Sequence, residues 1–291
     1  LLKIWCTAVE APLFWKIRKH FPKSFIMKGM GSMESKRTVA IVLAAGTGKR
    51  MLSSTAKQYL PLGGKPVLYY SLKAFEKSSV DEIVLVVGKN EAEYCKNLIL
   101  EEYNMRKVNH IIEGGKERYH SVYNGLKEIK SADYVLIHDG ARPFVTVEII
   151  EDTIKNLKYH SACVVGVPNK DTIKLVNGDG IVLETPDRSK LWSVQTPQAF
   201  SYDIIMRAYC MIMGEMVYNR EKEDGFKKTA GRLGSDKIIE DIGELNITDD
   251  AMVVEQTLNY PIKMIMGSYR NIKITTPEDI LIGEALLNSL F

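Results

Sequence analysis

The chain has 291 residues, 45% of them hydrophobic and 26% charged, which is an ordinary balance for a folded globular protein with a sizeable core. A formal charge of +3 is too small to argue for a nucleic-acid partner, and no apolar run reaches membrane-span length. The cysteines Cys6, Cys95, Cys163 and Cys210 share no C-x-x-C spacing, so they predict reduced thiols in a cytoplasmic protein, with neither a disulfide framework nor a zinc site.

Residues 1–36 carry two tryptophans, two prolines and scattered bases without a sustained period. They make a poor secretory signal and read as a loosely attached extension ahead of a single domain over 37–291. From Val39 the chain alternates strand and helix. Val39–Leu43 is a short β-branched run suited to a strand buried on both faces. Val67, Leu68, Leu72 and Phe75 stripe a helix over 65–78, with Pro66 in its first turn. Strands follow at 82–88, 108–112 and 134–137, the last ending in His138-Asp139. Helices are expected at 91–104 and near 118–130. Repeated βα units of this kind predict an α/β, Rossmann-like, mostly parallel sheet flanked by helices.

Asp171–Val176 and Ile181–Glu184 flank Asn177-Gly178-Asp179-Gly180, a strong hairpin signal. The inserted arm, about 168–196, must pack on something, and a partner subunit is one answer. Residues 214–245 are dense in mixed charge and glycine and read as a solvated insertion. A helix is expected from Asp249 and strands at 262–266 and 271–275. Thr276-Pro277 then caps the last helix.

Ligands of such sheets sit beyond the carboxyl ends of the strands, where the loops at Gly46, Gly114 and Asp139 leave. After β-branched Val39–Leu43, bulk vanishes at Ala44-Ala45-Gly46-Thr47-Gly48, exposing backbone N–H groups to a phosphate. Lys49, Arg50 and Lys57 can neutralise a polyphosphate. The string is not a P-loop, because Arg50 follows Gly48-Lys49, and it lacks the third glycine of a dinucleotide fingerprint. Alone, the glycines fit a tight turn equally well. Asp139, at a strand end, suits Mg²⁺ bound through one carboxylate and phosphate oxygens, or a turn cap.

The string LAAGTGKRM, followed by KQYLPLGGKPVLYYSL and later by HDGARPF, LW…QTPQAF and NIKIT, resembles the cytidylyltransferases that act on methylerythritol phosphate in isoprenoid precursor synthesis. The likeness covers most of Val39–Leu290. It implies a fold of the nucleotide-diphospho-sugar transferase type and a homodimer exchanging the β-arm. CTP and 2-C-methyl-D-erythritol 4-phosphate would be the substrates, with Mg²⁺ on Asp139. By the same resemblance Gly115 and Ser121 lie near cytosine, and Arg142, Arg188 and Thr172 near the substrate phosphate. Lys273 then aims the nucleophile, while Arg50 and Lys57 stabilise the α-phosphate and the departing pyrophosphate. Lys116 and Arg270 stand where the family often has acidic residues, and no role is assigned to them. A ribitol 5-phosphate cytidylyltransferase of the same fold is the nearest rival, and AAG and GAR favour methylerythritol phosphate. A nucleotide-binding module without turnover is disfavoured because Arg50, Lys57 and Asp139 are all present.

Overall fold

The computed structural model describes residues 36–46, 48, 51, 55–214 and 247–289. Thr47, Lys49 and Arg50, the extension before Lys36 and the charged stretch after Gly214 lie outside the described residues. Strand β1 (Thr38–Ala44) is buried along nearly its whole length, as its run of consecutive apolar residues requires. Two short strands, β2 (Pro61–Leu62) and β3 (Lys65–Pro66), form a small antiparallel ribbon after it. Strands β4 (Glu82–Val87) and β6 (Tyr134–Asp139) are buried at every residue and pair with β1 in parallel on either side. The half-exposed β5 (Val108–Glu113) closes one edge. Beyond β6 lie β7 (Ala162–Pro168), β10 (Trp192–Ser201) and β11 (Lys263–Met266). The order across the sheet is β11-β7-β10-β6-β1-β4-β5. Only β10 runs against its neighbours, so the sheet is the mostly parallel one expected.

Alternation along β1 sends its side chains into two separate cores. Ala40 and Val42 meet Leu72 and Phe75 of α1 (Val67–Lys77) and Ile150 of α4 (Val147–Leu157). Val39 and Ile41 meet Leu126 of α3 (Arg118–Glu128), Ile205 and Tyr209 of α5 (Tyr202–Ile212), and Val253 of α6 (Asp250–Leu258). Each fully buried side chain of this size contributes about 1.5–3 kcal/mol. The last helix, α7 (Pro277–Asn288), starts as expected, with Thr276 and Asp279 forming a reciprocal capping box and Pro277 in the first turn.

Several boundaries differ from the sequence reading. Lys65-Pro66 pairs with Pro61-Leu62, so α1 begins at Val67 with Pro66 as its N-cap. Helix α2 (Ala92–Cys95) passes into a π-helix over Lys96–Glu101 and stops short of Asn104, which has φ 52°. Residues 271–275 form no strand. Their backbone is bonded piecemeal, Ile274 N–H to the Ala141 carbonyl at 2.8 Å and Ile272 N–H to Arg270, without a ladder. The hairpin forms as β8 (Leu175–Val176) and β9 (Val182–Glu184), shorter than expected, and is a two-stranded sheet of its own. Asn177 organises its turn by accepting from Asp179 N–H at 3.1 Å and Ile181 N–H at 2.9 Å, with Gly180 at φ +79°.

Cys95, Cys163 and Cys210 are buried free thiols. Burial pushes Cys95 and Cys163 up to about 11, so little thiolate exists at neutral pH. Iodoacetamide at pH 8 is therefore expected to spare these two until denaturant is added. Peptide mapping that found both alkylated in the folded protein would contradict this packing.

Candidate active site

A cleft of about 470 Å³ opens beyond the carboxyl ends of β1, β5 and β6. Ala45, Gly46 and Lys57 line one side, Gly115, Arg118 and Ser121 another, and Asp139 and Lys273 the floor. Ala44 is buried, and Thr47 and Arg50 lie outside the described residues.

The Lys57-Gln58-Tyr59 turn is held from beneath. Gln58, 2% exposed, donates through Nε2 to the Ala44 carbonyl at the end of β1. The Tyr59 hydroxyl donates to Glu91 at 2.7 Å and lies 2.9 Å from Cys95 Sγ. Glu91 in turn accepts from Gly88 N–H at 3.0 Å, tying the turn to the end of β4. With two of three side chains anchored inward, Lys57 is left to face the cleft. Gly48 packs on it: its φ is +61°, and a Cβ there would sit 3.3 Å from Lys57 Cβ. The Lys57-Gln58-Tyr59 string is legible in the sequence, whereas the bracing by Gln58 and Tyr59 arises only from packing.

The second loop is shaped by Ser121, which is buried. Its hydroxyl accepts from Gly115 N–H at 3.0 Å and donates to the Glu117 carbonyl at 3.3 Å. Gly114 lies against the first loop, where a Cβ would come within 2.4 Å of Ala45 Cβ and 2.7 Å of Ser121 Oγ. The two loops are thus packed at a glycine, and Lys116 is exposed at the rim.

Asp139 sits between two cations. Lys273 Nζ is 2.6 Å from Oδ2 and Arg118 Nε is 3.3 Å from Oδ1. Burial alone would push its carboxyl up, but Arg118, Lys273 and Arg142 outweigh that and hold it well below the usual carboxylate range. Lys273 reaches this position because bonds on both sides of it fix its segment. Arg142 Nη1 donates to the Asn271 carbonyl at 2.8 Å, and Ile274 N–H donates to Ala141. Arg142 Nη2 donates to the Val194 carbonyl at 3.4 Å, so these two bonds brace the surrounding loops, while its buried Nε has no hydrogen-bond partner among the described residues. Arg270 turns away and bonds Ser289 at the end of α7.

His138 is fully buried, and burial takes its imidazole down to about 3, leaving it neutral. Its Nδ1 lies 2.9 Å from Thr196 Oγ1, which itself accepts from Asp139 N–H at 3.1 Å. Thr196 occupies the register break in the pairing of β10 with β7, between Val194 and Gln198. His138 thus braces Asp139 only indirectly, through Thr196.

The sequence marks Arg118 only as the start of a helix. Its guanidinium grips the fully buried Asp250 with two 2.8 Å bonds while its Nε faces Asp139. Burial alone would lower its pKa, but Asp250 and Asp139 raise it well above the ordinary value. Nothing in the spacing of positions 118 and 250 could have disclosed the pair. Thr172 and Arg188 are both exposed and do not line this cleft. Arg188 Nη1 donates to the Lys170 carbonyl at 3.2 Å at the root of the arm.

The donor set suits a hard divalent cation that shares itself with phosphate. Asp139 offers one ionised carboxylate at the cleft floor, and a lysine ammonium already lies against Oδ2. Among the described residues no cluster of three or more His, Cys, Asp or Glu forms a closed cage. Such an arrangement fits Mg²⁺ held largely by a substrate.

A glycine loop with a braced lysine, a second loop packed on it and a carboxylate at the end of β6 define a nucleotidyltransferase of the α/β class. The family model described as IspD: 2-C-methyl-D-erythritol 4-phosphate cytidylyltransferase matches residues 38–219 and 237–289. A protein of that name from Lachnoclostridium phytofermentans is 49% identical over 251 residues, covering 86% of this chain and 96% of the relative. One from Clostridium botulinum is 48% identical over 250 residues, covering 86% and 98%. Among solved structures, the 4-diphosphocytidyl-2C-methyl-D-erythritol synthase of Anaerococcus prevotii superposes with a TM-score of 0.69 at 32% identity, covering 87% of this chain and 96% of that one. The cytidylyltransferase of Thermus thermophilus gives 0.63 at 26% identity, covering 87% and 99%. The chain belongs to the 2-C-methyl-D-erythritol 4-phosphate cytidylyltransferase family. These matches favour methylerythritol phosphate over the ribitol phosphate alternative.

Proposed function

We propose that this chain transfers the cytidylyl group of CTP to 2-C-methyl-D-erythritol 4-phosphate, releasing pyrophosphate, in the cleft described above. The observation that carries the reading is the convergence of Lys57, the Gly115–Ser121 loop, Asp139 and Lys273 on that one cleft. An oxygen of the alcohol phosphate attacks the α-phosphorus in line. The new P–O bond forms as the bond to the β-phosphate oxygen breaks. The nucleophile is an ionised phosphate, so no general base is needed, in keeping with the neutral, buried His138.

The protein's work is positioning and charge stabilisation. Backbone N–H groups of the 44–48 loop receive the triphosphate, while Lys57 and Arg50 neutralise the charge that develops on the α-phosphate and pyrophosphate. Main-chain groups of the second loop read the cytosine, whose N4 donor and N3 acceptor distinguish it from uracil. Asp139 would hold Mg²⁺, which when bound supplies further charge neutralisation to the triphosphate. Lys273, half-exposed and bonded at a single atom, is free to pass from Asp139 to the alcohol phosphate.

The packing of the two loops has its own test. Gly114→Ala would force a methyl into Ala45 and part the loops, and the expected result is about tenfold weaker CTP binding by calorimetry. Unchanged affinity would show that the loops can separate without cost.

A homodimer through the arm fits the exposed apolar residues of the hairpin: Leu175, Val176, Ile181, Val182 and Leu183 are 48–69% exposed in the single chain. In such a dimer Thr172 and Arg188 serve the partner's cleft. No helix among the described residues is long and apolar enough to cross a membrane, and free buried thiols suit a cytoplasmic setting.

The substrate assignment is tested by assaying CTP with each alcohol phosphate separately. Turnover with methylerythritol phosphate and little with ribitol 5-phosphate is expected. The reverse preference would move the chain to the rival activity.

A further inference from the structure

Arg118 lies between two carboxylates of different standing. Asp139 lines the cleft, whereas Asp250, the first residue of α6, has no exposed surface. Asp250 takes both terminal nitrogens of Arg118 at 2.8 Å and the Tyr209 hydroxyl of α5 at 2.6 Å. Its own N–H donates to Gln198 Oε1 of β10 at 3.0 Å, and Ala251 N–H donates to the same oxygen at 2.9 Å. The neighbouring Asp249 already caps α6 by accepting from Met252 N–H at 2.8 Å. A helix cap therefore does not account for Asp250. Net stability is a weak reason for the pair, because a buried ion pair can often be replaced as a whole by apolar residues of similar volume at little loss.

The pair does fix direction. A guanidinium held at two points by a buried carboxylate cannot swing, so its Nε edge stays on Asp139 Oδ1. Lys273, on the opposite oxygen, has no such anchor. Arg118 also opens α3, directly after the Gly115–Glu117 loop, so the same anchor pins that loop. We propose that Asp250 is a positioning residue of cytidylyl transfer: through Arg118 it holds the Asp139 carboxylate and the Gly115–Arg118 loop in one fixed relation. Incoming substrate then displaces Lys273 from Asp139 and leaves Arg118 in place.

This inference rests on the cytidylyltransferase reading, and wild-type turnover of CTP with methylerythritol phosphate is measured first. Absence of that turnover fails the reading itself, whereas the variants below fail only the inference. Asp250→Asn is expected to lower kcat about ten- to a hundredfold and to weaken CTP binding by calorimetry, with KM for the alcohol phosphate within about twofold of wild type. Arg118→Lys, which keeps the charge but loses the two-point grip, should lose kcat to a similar degree.

Removing one member of a buried pair can prevent folding. The neutral combination Arg118→Met with Asp250→Leu is therefore assayed alongside, and it should fold yet show the kcat loss of a single variant without further decline. Tyr209→Phe keeps both charges and should lower kcat by about two- to fivefold. A role in stability alone would lower the melting temperature and leave kcat per folded enzyme unchanged. Wild-type kcat and CTP affinity in whichever of these variants fold would overturn the proposal.

Discussion

Replacing Lys57 by alanine is expected to lower kcat by about 10²–10³ while weakening CTP binding far less. In the proposed reaction the contact of the ammonium strengthens as negative charge gathers on the α-phosphate and the departing pyrophosphate, so it would stabilise the transition state more than bound CTP. The structure adds why the effect should be large. Gln58 on Ala44, Tyr59 on Glu91 and Gly48 against its stem hold Lys57 in place before substrate arrives, so little reorganisation is left for the reaction step. Measured kcat and KM for CTP decide it. Near-normal kcat with only a raised KM would assign Lys57 to ordinary substrate binding.

The second large effect concerns the arm. Thr172 and Arg188 lie away from the cleft lined by their own chain's Lys57 and Asp139. If the hairpin serves a neighbour, Arg188→Ala and Lys57→Ala chains, each inactive alone, should complement when mixed. A heterodimer then holds one intact site and one carrying both lesions. Random exchange of equal amounts should therefore restore about a quarter of wild-type activity. Two affinity tags isolate the heterodimer. An isolated heterodimer as inactive as its parents would mean that the arm folds back on its own chain.

The sheet was legible because TVAIVLA, EIVLVV and YVLIHD are continuous apolar runs separated by helical stripes. The glycine loops and Asp139 followed from where such runs end. Residues 271–275 misled because NIKIT has strand composition, whereas Arg142 and Ala141 hold its backbone in place of a neighbouring strand. The link between Arg118 and Asp250 was invisible for a related reason. It joins positions 132 apart in the chain, and only the packing of α6 against α5 brings them together. Gln58 stands beside the lysine of its motif as an uncharged side chain, and only its burial against Ala44 makes its amide a brace.

The central claim, direct transfer within this cleft, is tested most plainly by following label from [α-³²P]CTP with and without 2-C-methyl-D-erythritol 4-phosphate. With the alcohol phosphate present, label should appear in the cytidylylated alcohol in amounts equal to the pyrophosphate released. None should remain on acid-quenched protein, and CTP alone should stay intact. Label trapped on the protein, or CTP consumed without transfer to the alcohol, would contradict the account.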